Sequence, residues 1–242
     1  MKSVSGCIIC GKSPTVRSHV LPKGLMRDMI DTPQGLTVVS RDSDRSRLSQ
    51  SGLIDANLLC SEHEKATEAY DKYGVEFCRA FEQLAVPTET GNGFMVPNPK
   101  PQMLARFIYA CVWRYVTSRY GTEVALNLGR YEAIMRGCIF EGAECTLPVI
   151  VGLSHLRDSN GEPQTICVAP FYSRAAPANR WVLTIGYLDF AVFCDNRPIA
   201  HKFAGALANA DDPLLCGKTD GQLFTQARVL RPIINKIAKK TS

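Results

Sequence analysis

The 242-residue sequence predicts an α+β protein in which a small metal-ligating finger precedes a helical hairpin and an antiparallel sheet. Three observations predict it. Two half-sites with a two-residue gap, Cys7/Cys10 and Cys60/His63, frame the first 65 residues. Apolar residues recur at three- and four-residue intervals from Ser61 to Leu84 and again beyond Pro101. Short runs of β-branched and aromatic residues, separated by turn formers, fill the later part of the chain.

In chain order, residues 1–31 hold the cysteine pair, a β-prone VRSHVLP stretch and a short amphipathic helix from Lys23 to Ile30. A strand over Leu36–Ser40 follows. The polar segment RDSDRSRLSQSG lacks periodicity and reads as an exposed loop. From Ser61 to Leu84, Ala66, Ala69, Tyr70, Tyr73, Phe77, Ala80, Phe81 and Leu84 trace one helical face, with Gly74 as a weak point. Ser61 and Glu64 fit a capping box at its start. The segment VPTETGNGFMVPNPKP is rich in proline and marks a boundary, which divides the chain into a finger with its long helix (1–86), a linker (87–99) and an α+β domain (100–242). Beyond it, PQMLARFIYACVWRYVTSRY and EVALNLGRYEAIMRGCIF predict two helices joined at Gly121. The runs CTLPVIVGL, QTICVAPFY, WVLTIGYL and FAVFC predict strands, and Asn160-Gly161 a hairpin turn. Pro232 confines any helix in the tail to its last turns.

A hydrophobic content of 45% with 21% charged residues can build a real core and excludes a disordered chain. No apolar run of membrane-spanning length occurs, and MKSVSGCIIC lacks a signal-peptide core, so a cytosolic location is expected. There cysteines stay reduced, and a close pair points to metal binding or redox chemistry rather than to a disulfide. The net charge of +5 is compatible with an anionic partner. The basic clusters Arg41, Arg45, Arg47 and Lys236, Lys239, Lys240 read first as solvated surface, the ordinary meaning of a charge run.

Cys7-Ile8-Ile9-Cys10-Gly11 places two thiols one knuckle apart, with glycine permitting the tight turn. Cys60-Ser61-Glu62-His63 repeats the gap at a helix start, where unpaired backbone N–H groups favour a thiolate. Matching half-sites predict one structural Zn²⁺ held by Cys7, Cys10, Cys60 and His63 in a treble-clef, ββα-like finger. The competing reading is a Cys7/Cys10 redox pair. The other seven cysteines sit singly among apolar neighbours and read as core thiols.

The order CIIC, SHVLPK, NLLCSEHEK resembles the zinc-stabilised form of the HNH endonuclease superfamily, the His-Me fingers, over about residues 5 to 72. The resemblance implies a metal-dependent endonuclease that hydrolyses DNA phosphodiester bonds. His19 matches the general base and Asn57 the middle asparagine, while Glu64 stands at the last histidine, where a catalytic Mg²⁺ or Mn²⁺ is bound. Three departures accompany it: Ser18 replaces an aspartate, Asn57 lies three residues before Cys60, and Glu64 replaces an imidazole. Proteins of this kind also occur in phages and antiphage systems.

Such chemistry needs a base, an activated water and positive charge at the phosphate. An imidazole near pKa 6.5 suits the first role, and carboxylate oxygens suit a hard divalent ion. Lys23, Arg27, Arg41, Arg45 and Arg47 would contact phosphates. Each residue also has a bland reading: His19 as a packed strand histidine, Glu64 as a cap, Asn57 as a turn residue and the basic groups as surface. The alternative function is a non-catalytic, zinc-stabilised binder of nucleic acid or protein, such as an inhibitor or adaptor, with the C-terminal domain contacting the partner. In that domain the charge at Arg114 invites a paired carboxylate or a ligand, with an edge position on the helix as the simpler explanation, and His155 and His201 are isolated.

Overall fold

The computed structural model describes residues 6–28, 36–38, 47–49, 52–153, 166–174, 178–195, 197 and 203–218. Near the N-terminus, β1 (Ser18–His19) pairs antiparallel with β4 (Ile54–Asp55), and α1 (Lys23–Asp28) follows β1 directly. Between α1 and β4, β2 (Leu36–Val38) pairs with β3 (Arg47–Ser49). The polar segment expected to be all loop therefore carries a strand. Three residues are too few to show an alternation, and pairing rather than periodicity defines β3. Arg41, Arg45 and Ile30 lie outside the described residues, as do Asn160-Gly161, His155, His201 and the C-terminal tail.

The helix α2 (Ser61–Leu84) runs unbroken through Gly74. A Cβ on Gly74 would lie 2.3 Å from the Phe107 ring of α3 (Pro101–Thr117), so the glycine is what allows the two helices to approach. The expected capping box is corrected. Cys60 is the N-cap and makes no side-chain cap bond, and the Glu64 carboxylate turns to β1. Helix α3 is apolar on all sides because all sides are covered: from Leu104 to Val116 only Arg106 is not buried. The predicted turn at Gly121 lies inside a short helix, α4 (Arg119–Glu123), and of the predicted second arm only α5 (Tyr131–Phe140) is a helix of its own. Ala125 and Gly129, both at positive φ, break the helix between them.

Residues 87–99, expected to be a linker, contain most of two short strand segments. β5 (Val86–Pro87) pairs with β6 (Gly93–Val96), and β6 pairs with β11 (Leu214–Lys218). Proline and glycine mark a sheet edge here instead of a spacer. The remaining strands are β7 (Val149–Leu153), β8 (Ile166–Ser173), β9 (Arg180–Gly186) and β10 (Leu188–Phe193). Among the described residues they form a seven-stranded sheet in the order β5-β6-β11-β7-β10-β9-β8. The sheet is mixed, not antiparallel throughout, because β11 returns alongside β7 in the parallel sense. Gly186, at φ 64°, makes the tight β9–β10 turn.

One core cluster runs from Cys7 through α2 and α3 to Cys216, so the N-terminal metal donors and the sheet share a single apolar interior. Phe81 of α2 packs on Phe94 and Tyr187, and Phe107 of α3 on Phe190. A smaller cluster, including Ile150, Val182 and Phe193, lies apart from it and is packed by Phe203 and Leu207. No helix among the described residues is long and apolar enough to cross a membrane.

Candidate metal centre

The knuckle forms because two backbone bonds close it: Gly11 N–H donates to Cys7 O at 2.7 Å, and Cys7 N–H to Lys12 O at 2.9 Å. Gly6 must be glycine, since it sits at φ 142° and a Cβ there would lie 2.5 Å from Gly11 O. The knuckle is then laid against the segment entering α2. Ile8 N–H donates to Leu58 O at 3.1 Å, Val16 N–H to Leu59 O at 2.8 Å, and Thr15 bridges Cys60. These contacts bring residues 50 and more positions apart to one point.

There, one donor atom from each of Cys7, Cys10, Cys60 and His63 lies within 4.8 Å of every other, and the four could hold a structural metal ion. Cys60 Sγ is 3.2 Å from His63 Nδ1, Cys7 Sγ 3.6 Å and Cys10 Sγ 3.7 Å; Cys10 and Cys60 Sγ are 3.9 Å apart. Burial pushes the Cys7 thiol up, but backbone hydrogen bonds at Cys60, Cys10 and Ile9 outweigh it and leave the thiol below its ordinary pKa. The His63 ring is steadied edge-on by Phe140 of α5 at 5.4 Å, and Phe140 packs on Trp113 of α3. Lys12 and Glu62 close the outer side with a 3.2 Å ion pair.

One residue beyond His63, the Glu64 Oε1 accepts a 3.4 Å hydrogen bond from the His19 backbone N–H. The chain thus joins two predicted site residues 45 positions apart, beside the four donors. His19 Nε2 and Glu64 Oε2 are both buried without a hydrogen-bond partner among the described residues, as is Ser18 Oγ. Burial, with Lys23, Arg114 and Arg17 nearby, lowers the His19 pKa below 6.5 and keeps its imidazole neutral at pH 7. Lys23 and Arg27 are exposed on α1. Arg47 lies on β3, and its side chain is outside the described residues.

Asn57 stands apart from this pair. It lies exposed in the turn after β4, where its backbone N–H donates to Asp55 Oδ1 at 2.9 Å. The other Asp55 oxygen accepts the Arg119 N–H at 2.7 Å, so Asp55 ties β4 to α4.

Beneath Glu64, on the same face of α2, sequence reasoning missed Thr67 and Asp71. The fully buried Arg114 makes bonds of 2.7 and 2.6 Å to the two Asp71 oxygens and reaches Thr67 Oγ1 at 3.4 Å. Burial opposes the guanidinium charge, but Asp71 beside it more than offsets this and raises the Arg114 pKa. The spacing of residues 64, 67 and 71 was the available signal, since it aligns three polar groups on one helix face.

No family model matches the chain, and neither the curated proteins nor the solved structures contain a significant match.

Proposed function

We propose that the chain is a metal-dependent phosphodiester hydrolase of the HNH type acting on DNA, built on a zinc-stabilised treble-clef finger. Zinc identity is supported by the donor spacing. Bond lengths of about 2.3 Å to sulfur and about 2.05 Å to nitrogen give tetrahedral edges of about 3.8 Å between sulfurs and about 3.6 Å between sulfur and nitrogen. The observed 3.9 Å and the 3.2 to 3.7 Å separations scatter around those edges. A closed four-protein-ligand set is structural, so catalysis falls to other residues.

The observation that carries the reading is the bond from the His19 backbone N–H to Glu64, with His19 Nε2 and Glu64 Oε2 both without a hydrogen-bond partner among the described residues. His19, neutral at pH 7, takes the proton of the attacking water. Glu64 Oε2 is a hard ligand suited to Mg²⁺ or Mn²⁺, and an ion held there would supply positive charge to the phosphate. Exposed Lys23 and Arg27 hold the phosphate backbone. His19→Ala lowers Mg²⁺- or Mn²⁺-dependent plasmid cleavage by about 10²- to 10⁴-fold, the contribution of a general base, while zinc content and folding are unchanged. Cleavage at the wild-type rate overturns the assignment.

A second reading, a non-catalytic binder of nucleic acid or protein, is favoured by the burial of His19 Nε2. Salt-sensitive DNA binding without cleavage under any divalent ion is its signature for nucleic acid. Absence of DNA binding turns it toward a protein partner.

A further inference from the structure

We propose that Cys10 is a modification site for hydroperoxides, and that its oxidation forms a Cys10–Cys60 disulfide and expels the metal. The inference rests on the zinc reading of the four-donor cluster and is independent of nuclease activity. Its basis is an asymmetry within that cluster. Among the ten cysteines Cys10 alone is exposed, whereas Cys7 and Cys60 are 1% and 6% exposed. A metal-bound thiolate keeps its nucleophilic lone pairs, so the accessible one reacts first. A second sulfur, Cys60 Sγ, stands 3.9 Å away, close enough to resolve the oxidised product.

The chemistry balances with hydrogen peroxide as oxidant. The Cys10 sulfur attacks one peroxide oxygen, the O–O bond breaks, and the departing hydroxide takes a proton to leave as water. The Cys60 thiolate then attacks the Cys10 sulfenic acid. An S–S bond forms, the S–O bond breaks, and a second water leaves after protonation. Two thiolates have lost two electrons in all and one peroxide has gained them. The ion keeps only Cys7 and His63 and dissociates. Competing sites are shielded: the remaining seven thiols are buried, and burial pushes Cys111, Cys167, Cys194 and Cys216 up to about 12.

The test uses the full chain with its bound zinc measured first. A chain that carries no zinc refutes the zinc reading itself, before any oxidant is added. Hydrogen peroxide is then introduced, release is followed with a colorimetric zinc chelator, and cross-linked peptides are mapped by mass spectrometry without reduction. The expected result is complete loss of the ion with a Cys10–Cys60 cross-link, and rebinding after thiol reduction. Cys10→His keeps a fourth ligand and retains its zinc under the same peroxide. Equal release from Cys10→His, or a wild-type map with Cys10 unmodified after release, overturns the proposal. The wild-type map decides the question even where the variant does not fold.

Discussion

Arg114 lies out of contact with water, and the Asp71 carboxylate meets its charge across the α2–α3 interface. Removing the carboxylate leaves the guanidinium buried and unmatched. Asp71→Ala therefore destabilises the fold by about 3 kcal/mol, read as a lower urea midpoint at unchanged slope. An edge position is the simpler reading of Arg114 in the sequence, and its full burial overturns it; only the other reading, a paired carboxylate or a ligand, was legible. Its partner was not, since 43 positions separate Asp71 from Arg114 and only tertiary packing joins them. The cysteine and histidine donors were legible for the opposite reason: each half-site is local and its gap is set by ligand geometry. Glu64 shows local reasoning misled. It sits at the capping-box position, yet the helix starts one residue earlier and the carboxylate serves β1.

Among the elements, α2 does the most positioning. Its first turn presents His63 and Glu64, its middle admits Phe107 at Gly74, and its last turns place Phe81 on Phe94 and Tyr187. Gly74→Ala forces the 2.3 Å approach apart and costs about 1 to 3 kcal/mol through overpacking, despite the better helix propensity of alanine. A lower thermal midpoint is the expected measurement, and a raised one would mean that the helices separate freely. The sequence showed the length of α2 through its periodicity but presented Gly74 as a flaw. A close approach is a property of two helices and leaves no mark on either alone. The same holds for β6, whose pairing with β11 is invisible in a stretch rich in glycine and proline.

For the whole molecule, the metal donors belong to the same core as the helices and the sheet. Removing an ion held by these donors should thus affect more than the knuckle. Treatment with a strong chelator is expected to lower the thermal midpoint of the entire unfolding transition and to change Trp113 emission, because His63, Phe140 and Trp113 pack in sequence. An unchanged midpoint would show that the metal contributes nothing to the fold. The α+β class was readable from the order of periodic segments, and the absence of a membrane-spanning helix from hydropathy. Strand order was not readable, because β11 joins β6 and β7 from far along the chain, and side-chain alternation carries no information about neighbours.

The clamp also bears on how the chain can vary. Cys10 and Cys60 stand 50 positions apart, yet the knuckle bonds and the four donors hold both ends of the intervening loop together. Closing a loop costs entropy that grows only with the logarithm of its length, so doubling it adds about 0.6 kcal/mol. In sequence the stretch between β2 and β3 lies inside this closed loop, so lengthening it is expected to leave the metal content unchanged, which metal analysis of an insertion variant checks. The donor geometry would stay in place.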